Sequence, residues 1–547
     1  MKQKKGHSIM QKSSFIKGAF VATLGIVITK ILGILYVIPF HAIIGEKGGA
    51  LYGYAYTIYL VFMAISTAGI PLSISKIVSE YQTKGYYNAK KRAFVIGKKI
   101  AVTLGVCCFV LMMLLAPFLA KWILGDLTGG NTIEDVTFVI RIISMAILIV
   151  PILSIYRGYF EGHRFMNPPS ISQVVEQIVR VFIIVLGSFL TLKVFHLSLT
   201  DAVGVAVFGA TAGAFASYLY LVQKRIKNKK KFNEKVRPVN EPIITDKEIF
   251  RKIIVYAFPF IMIDIFKSFY SYVDMVTVVK GLVYYASFSV SNAEIVMSML
   301  STWSAKFNMI VLSISTGIIV SLIPNLTKSL VEKNQDDINK KINQTLSILL
   351  FLTVPMTIGI SFLSEAIWTL FYGSSTYGPS VLSLGIFIAL FMGLFTAMVS
   401  VVQVLKDYKT VLLSLIVGLL IKVSLNTSLI EAFYKMGLPA YYGVITASIF
   451  AYLVAFIICL VVLKTKYHVE YEITVKNFID ILCATLLMLV VLFLLKFIVP
   501  IASIDRLMNI PIILLYTLVG SVVYLVYMYK TKTIEHVFGK NIFKRKK

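Results

Sequence analysis

The chain has 547 residues, of which 58% are hydrophobic and only 15% are charged, and its mean hydropathy is +0.83. These values exclude a soluble globular domain and predict a polytopic membrane protein. The formal net charge of +28 arises from 54 lysines and arginines against 26 acidic residues. In a membrane protein such an excess sets the topology and contacts anionic lipids, so we predict no nucleic-acid partner.

Apolar segments of spanning length follow one another along the chain. An α-helix needs about 20 apolar residues to cross the hydrocarbon core of a bilayer. We predict an all-α protein with about fourteen transmembrane helices, at residues 15–44, 52–78, 93–124, 136–160, 171–195, 201–222, 252–280, 303–327, 342–371, 380–405, 411–433, 440–463, 477–500 and 509–529. An even number of spans places both termini on the same side of the membrane.

The first span contains a lysine near its centre. Lys30 lies roughly 20 Å along the helix from the flanking charges at Lys17 and Glu46, too far for its ammonium group to reach the membrane surface. An ionisable group at this depth is costly and marks a functional site by default. We predict that Lys30 faces a water-filled cavity and an anion; a structural ion pair with a neighbouring helix is the alternative.

The fifth span carries an opposite-charge pair one helical turn apart. Glu176 and Arg180 stand at i,i+4 and can satisfy each other, so a structural role is favoured over a secondary role in a cavity. Lys422 and Asn426 repeat this spacing in the eleventh span, and we interpret them in the same way.

Basic residues are distributed unevenly between the two sides of the predicted membrane topology. The tails and loops on one side carry 40 lysines and arginines, 11 of them between residues 224 and 252, whereas the other side carries 8. Short cytoplasmic loops are enriched in such residues. We therefore predict that both termini are cytoplasmic.

The seventh span has three charged residues on one face. Asp264, Lys267 and Asp274 fall within a sector of about 80°. Lys267 is a candidate cation for an anionic substrate, and Asp264 and Asp274 are candidate carriers of H⁺ or Na⁺. An internal Asp264–Lys267 salt bridge at i,i+3 is the alternative. Lys306 enters the eighth span from the outer side as a third candidate cation.

The chain repeats itself at a spacing of about 240–250 residues. GIPLSISKIVSE (69–80) reappears as LIPNLTKSLVE (322–332), and QIVRV (177–181) as LIKV (420–423). Two parallel six-helix repeats with two appended helices follow, with a substrate cavity expected between the halves and alternating access by rocking. The predicted domains are an N-lobe, a basic cytoplasmic linker, a C-lobe, and two last helices with a basic tail, at residues 1–222, 223–251, 252–463 and 464–547.

Chemistry other than transport finds little support in the sequence. The four cysteines lie in apolar runs without metal-ligand spacing, and no GxxxxGK[ST] nucleotide-binding motif occurs. We predict no enzymatic activity, no metal and no cofactor apart from Na⁺ or H⁺ as a coupling ion. Transport must then be driven by the membrane potential or an ion gradient.

Three stretches resemble a known family. The 6+6+2 array resembles the multidrug/oligosaccharidyl-lipid/polysaccharide exporter superfamily, which includes the MATE transporters. TKILGILYVIPF (29–40), YRGYFEGHRFMNPPSISQVVEQIVRV (156–181) and IPNLTKS in span 8 are similar to its polysaccharide-biosynthesis branch, namely the MurJ-type lipid II flippases of Gram-positive bacteria and their SpoVB-like relatives.

This resemblance implies a flippase for an undecaprenyl-diphosphate-linked saccharide, with peptidoglycan lipid II as the leading substrate. It implies that Lys30 and Lys306 are cavity cations, and that Tyr36 stands where the Gram-negative pattern has a second arginine. The expected location is the cytoplasmic membrane of a bacterium. The expected partners are the lipid-linked anionic saccharide, membrane lipids and the cell-wall synthesis machinery, and the expected state is a monomer.

Other functions remain open at this point. The substrate can instead be a teichoic, capsular or spore-cortex precursor. A cation-coupled multidrug exporter of the same superfamily would favour carboxylates and aromatic residues in the N-lobe cavity, where the sequence offers Lys30. A membrane glycosyl- or prenyltransferase would need a paired-Asp or metal motif inside a span, and the sequence contains none.

Overall fold

The computed structural model describes residues 28–229, 232 and 241–538, and the regular secondary structure of this part of the chain is entirely helical, without a strand. The first half forms α1 (28–35), α2 (Val37–Thr67), α3 (Ile70–Lys84), α4 (Tyr87–Leu124), α5 (Ile133–Gly162), α6 (Asn167–Phe182), α7 (Leu199–Lys227) and α8 (Asp246–Ala286). π-Helical turns at Ile183–Gly187 and Leu190–Val194 extend α6.

The second half of the described chain continues with ten more α-helices. They are α9 (Val290–Ser298), α10 (Ser304–Val331), α11 (Gln335–Phe362), α12 (Ser364–Tyr372), α13 (Gly378–Val404), α14 (Tyr408–Lys435), α15 (Tyr441–Tyr467), α16 (Glu472–Leu495), α17 (Asn509–Lys530) and α18 (Thr533–Phe538). A π-helical turn at Met299–Trp303 joins α9 to α10.

Twelve helical segments of the described chain are long and apolar enough to cross a membrane. The all-α membrane fold is thereby confirmed, and the number fourteen stays a prediction. Residues Val37–Lys84 count once among the twelve although backbone irregularities interrupt them, and the charged helix α8 is not among them. Predicted span 1 also begins outside the described residues, since residues 15–27 are not among them.

Two glycines shape the first part of the chain. Gly45 has φ +65° and ψ −168° inside α2, which bends the chain where the sequence predicted a longer connection between spans 1 and 2. Gly69, with φ +69°, separates α2 from α3 just before Pro71. A Cβ at Gly69 would lie 2.6 Å from the carbonyl oxygen of Ala257, so this position needs glycine both for its backbone conformation and for close packing of α8.

Local sequence fixes several helix starts. Thr132 accepts a hydrogen bond from the amide of Asp135 while the Asp135 side chain accepts one from the Thr132 amide, and Ser198 and Asp201 form the same reciprocal arrangement at α7. Each such capping box satisfies backbone N–H groups that have no partner within the helix. The helices α5 and α7 therefore start where the polar residues stand.

The chain divides into two compact units at Val276, within α8. In the first unit α5 is central and packs against α2, α3, α4 and α7. In the second unit α13 packs against α10, α11 and α15. The helix α16, the first of the two last spans, contacts α11 of this second unit through polar groups: Thr474 donates to Asn343 Oδ1 at 2.6 Å, and Asn477 donates to Ser347 Oγ at 3.0 Å.

The described end of the basic linker is fixed to the start of α4. Glu241 accepts hydrogen bonds from the backbone amides of Asn88 and Ala89 at 3.0 and 2.6 Å, and Asp246 pairs with Arg92. A carboxylate at this position also complements the positive end of the helix dipole. Phe232 is buried between Tyr159, Phe160 and His163.

Candidate substrate and ion-coupling sites

Lys30 lies in α1 and is half-buried. One turn later, a Cβ on Gly33 would make an ordinary van der Waals contact with Nε2 of Gln177 at 3.6 Å, so the side chain of Gln177 on α6 packs beside α1 here. Glu176 and Arg180 lie on this same helix α6. Lys30 therefore lies on a helix that contacts the helix carrying these two charged residues.

A carboxylate and two guanidinium groups form a connected cluster in this unit. Glu176 accepts hydrogen bonds from Arg157 at 2.7 Å and from Arg180 at 2.6 Å, one on each carboxylate oxygen. Arg157 also donates to Ser172 at 3.0 Å and to Ser217 at 3.1 Å. The three charged side chains are only 16–19% exposed. Two cations and one anion leave the cluster with a net positive charge.

Tyrosines surround the Arg180 end of this cluster. Arg180 interacts electrostatically with Tyr52, Tyr56 and Tyr59, and Tyr36 interacts with it as well. The Nε atom of Arg180 is buried, and no residue in the described part of the chain accepts a hydrogen bond from it. The guanidinium therefore retains a donor that is not used within the cluster.

Sequence reasoning missed Arg157. The predicted span 136–160 includes this residue, but it was not singled out as a candidate; α5 extends through Gly162 and places Arg157 inside the helix. The i,i+4 spacing identified the Glu176–Arg180 pair, but it carries no information about a partner from another helix. The RGYFEGH stretch was a signal, because an arginine near the end of an apolar span is a candidate for a buried pair.

Two of the candidate residues of α8, Asp264 and Lys267, do not form an ion pair with each other. Asp264 is exposed and Lys267 is half-buried; they interact electrostatically, but no ion pair within 4 Å joins them. The closed i,i+3 salt bridge that the sequence allowed is therefore not formed. Asp274 lies two to three turns further along and is half-buried.

Lys306 lies in the first turn of α10 between two buried aromatic residues. Trp303 and Phe307 are almost completely inaccessible, and Phe307 contacts the ring of Phe371 edge-on at 5.0 Å. The Tyr372 hydroxyl donates to the Trp303 carbonyl oxygen at 3.1 Å. These contacts fix the backbone on both sides of Lys306, which is itself half-buried.

Lys422 and Asn426 are both buried in α14, at 1% and 0% exposure. Lys422 donates to Ser448 Oγ on α15, and the Asn426 amide donates to Thr277 Oγ1 at 2.6 Å. Across residues 28–229, 232 and 241–538, no group of three or more His, Cys, Asp or Glu side chains is arranged to hold a metal ion.

Comparison with protein families and with curated sequences gives a consistent result. A family model described as "Polysaccharide biosynthesis protein" matches residues 15–328. The Bacillus subtilis (strain 168) protein named "Lipid II flippase MurJ" is 33% identical over 540 residues, covering 97% of this chain and 98% of that protein. "Stage V sporulation protein B" of the same organism is 29% identical over 233 residues, covering 42% of this chain and 43% of its own length.

Solved structures share the fold at lower identity. A structure of the lipid II flippase MurJ in an inward closed conformation has a TM-score of 0.65 and 17% identity, covering 94% of this chain and 100% of that one. An inward-facing multidrug resistance MATE transporter of the MOP superfamily has a TM-score of 0.58 and 13% identity, covering 80% of this chain and 97% of that one.

Proposed function

The chain belongs to the polysaccharide biosynthesis family of membrane proteins, and we propose that it is a flippase for an undecaprenyl-diphosphate-linked saccharide, namely peptidoglycan lipid II. The observation that carries this proposal is the 33% identity to a lipid II flippase over 97% of the chain. A relationship over the full length includes both units, the linker and the two last spans.

The chemistry of three half-buried cations supports an anionic lipid-linked substrate. A diphosphate in a low-dielectric environment needs positive charge, and lysine ammonium groups act on phosphate as point charges. Lys30, Lys267 and Lys306 are the residues that we assign to this role. Lys267 supports the assignment best, since no carboxylate in the described chain lies within 4 Å of its ammonium group.

Arg180 adds a further cation in the first unit. Tyr36 stands where related flippases of the Gram-negative pattern have a second arginine in span 1, and Arg180 of α6 interacts electrostatically with Tyr36. We propose that Arg180 supplies the positive charge that the second arginine of span 1 provides in those flippases. Arg157 and Glu176 then position its guanidinium group, while the net charge of the cluster stays positive.

Asp264 and Asp274 are the proposed carriers of a coupling ion. Moving one elementary charge across the membrane yields about 2.3 kcal/mol per 100 mV, so a proton or Na⁺ bound to one carboxylate can supply a useful driving force. The exposed position of Asp264 suits exchange of such an ion with water.

The multi-pass protein resides in the bacterial cytoplasmic membrane, and we propose that both its termini are cytoplasmic. The excess of 40 basic residues over 8 between the two sides supports this orientation. We further propose that the protein acts as a monomer that receives its substrate from enzymes of cell-wall synthesis and releases it to them by alternating access.

The test is complementation in a bacterium depleted of its lipid II flippase. Expression of this chain should restore growth and remove the lipid II that accumulates on the cytoplasmic face. Accumulation of lipid II despite full membrane insertion of the chain would contradict the proposal. Disappearance of a different lipid-linked precursor would reassign the substrate.

A further inference from the structure

A basic groove lies between α4 and α7 of the first unit, near the start of α4 and the end of α7. It consists of two adjoining cavities of about 490 and 440 Å³ that share Phe94, Val95 and Arg225. The helix α5 packs against both α4 and α7 and supplies Tyr159 to the lining. The groove lies within one unit and includes none of the residues assigned to transport.

Five cations line this groove: Lys91, Lys98, Lys99, Arg225 and Lys229. Among the residues that the structure describes, none of the five has a carboxylate within 4 Å, in contrast to Lys84, Arg92 and Lys252 nearby. Basic residues that only set the orientation of a protein in the membrane do not need to line a common cavity. Five of them around one cavity without an acidic partner constitute a local site for an anion.

Aromatic contacts hold Arg225 without neutralising it. Its guanidinium carbon lies 4.4 Å from the ring centroid of Phe94 and 5.8 and 5.9 Å from those of Tyr156 and Tyr159. Stacking on aromatic rings fixes the plane of the guanidinium group and leaves N–H donors available at its edge. The Lys98 ammonium lies 5.8 Å from the Tyr156 ring and approaches the same place.

An aliphatic stripe continues from the groove along α4. Lys91, Val95, Lys98 and Val102 follow one another at helical spacings of four, three and four residues, and thus share one face. Val95, Val102, Val106 and Val110 are each 41–50% exposed in the protein. Among the described residues that line the groove, no further cation on α4 follows Lys99, and Val102, Val106 and Val110 continue the face as an apolar surface, as the boundary between headgroups and acyl chains requires.

We propose that this groove binds an anionic phospholipid, whose phosphate contacts Arg225 and Lys98 and whose acyl chain lies along the valines of α4. Basic pockets between transmembrane helices suit phospholipid headgroups. A lipid-linked saccharide offers the same phosphate chemistry, but its large head needs many hydrogen-bonding partners. The uncharged polar groups of this lining are the hydroxyls of Thr103 and Tyr159, and Tyr159 already interacts with Arg225.

The experiment uses the full chain in nanodiscs that contain phosphatidylcholine and phosphatidylglycerol in equal parts. Co-purified lipid is quantified by mass spectrometry after exchange into detergent. The wild type should retain phosphatidylglycerol in preference to phosphatidylcholine. The double variant Lys98→Gln/Arg225→Gln should weaken this retention roughly tenfold or more, since each basic residue near the membrane surface contributes about 1 kcal/mol.

Two further variants keep the test decisive. Lys98→Gln/Lys99→Gln leaves Arg225 and its aromatic contacts intact, so its folding is preserved, and it should also lose phosphatidylglycerol. Lys121→Gln/Lys193→Gln removes the same charge from two exposed lysines outside the groove and should retain the lipid as the wild type does.

Equal losses in the groove variants and in the control variant would overturn the proposal, because binding would then follow total charge. A wild type without preference for phosphatidylglycerol would overturn it as well. Undecaprenyl diphosphate is the competing probe: if it displaces phosphatidylglycerol at lower concentration and itself depends on Lys98, the groove is a substrate site and the assignment to phospholipid is wrong.

Discussion

Two buried pairs with the same i,i+4 spacing manage their charge in different ways. In α6, Glu176 accepts hydrogen bonds from Arg180 and from Arg157 of another helix, which gives a cluster with net positive charge. In α14, Lys422 donates to the hydroxyl of Ser448, and Asn426 donates to Thr277. Spacing along a helix decides which side chains can meet, whereas partners from other helices decide the net charge that results.

The largest difference between the two regions should appear when the bridging carboxylate is removed. Glu176→Gln leaves two buried guanidinium groups without their anion, which should destabilise the protein by about 3–5 kcal/mol. Thermal unfolding in detergent and abundance in the membrane measure this loss.

The matched control is Glu431→Gln, which breaks the more exposed Glu431–Lys435 pair at the same i,i+4 spacing. This change should cost at most about 0.5 kcal/mol. Equal stability of the two variants would show that Glu176 is not the centre of a buried cluster.

A smaller effect is expected in α14 and α15. Ser448→Ala removes the hydroxyl that accepts from Lys422, and a lost hydrogen bond to a charged group costs about 1.5–3 kcal/mol. Ser424→Ala, at an exposed serine of α14, should leave the melting temperature unchanged. An unchanged melting temperature in both variants would show that Ser448 contributes nothing to holding the charge of Lys422.

His163, just beyond α5, differs from both pairs because it is a buried titratable group that stays neutral. Burial and the positive charge of Lys90 hold the pKa of His163 at about 4, despite its hydrogen bond to the Tyr159 carbonyl oxygen. In the unfolded chain the pKa of a histidine is about 6.5. Between about pH 6.5 and about pH 4 the unfolded chain therefore binds more protons than the folded protein, and the free energy of unfolding falls as the pH drops through this range. The loss should reach about 1.4 kcal/mol at pH 5.5.

His163→Gln should remove this part of the pH dependence, whereas His196→Gln, at an exposed histidine, should leave it unchanged. Unfolding measured at pH 7.5 and 5.5 for both variants provides the comparison. An unchanged pH dependence in His163→Gln would mean that this imidazole carries a proton in the folded protein.

The bilayer makes the fold largely predictable from the sequence. Every backbone polar group in hydrocarbon must be paired within a helix, so apolar length alone located most spans. The irregular places in the helices were harder to predict from the sequence. The helix α2 passes through Gly45, and predicted span 9 breaks at Leu363, between α11 and α12. Backbone torsions and packing set both features, and hydropathy reports neither.

The candidate sites were predictable only in part. Helical spacing found Glu176 with Arg180 because both lie in one element. It could not find Arg157, which reaches Glu176 from α5, nor the groove cations, which come from α4 and from the end of α7. It also allowed a salt bridge between Asp264 and Lys267 that does not form. Contacts between elements require the tertiary structure.

Replacement of Lys30 in the flippase-depleted strain tests the proposed anion site most directly. The Lys30→Ala variant should fail to remove lipid II from the cytoplasmic face, while its abundance and melting temperature equal those of the wild type. The Lys30→Arg variant should retain part of the activity because it keeps the positive charge. Lys47→Ala, at an exposed lysine of α2, should complement fully. Full complementation by Lys30→Ala, or its loss of activity together with a loss of stability, would contradict a role for this lysine in binding the diphosphate.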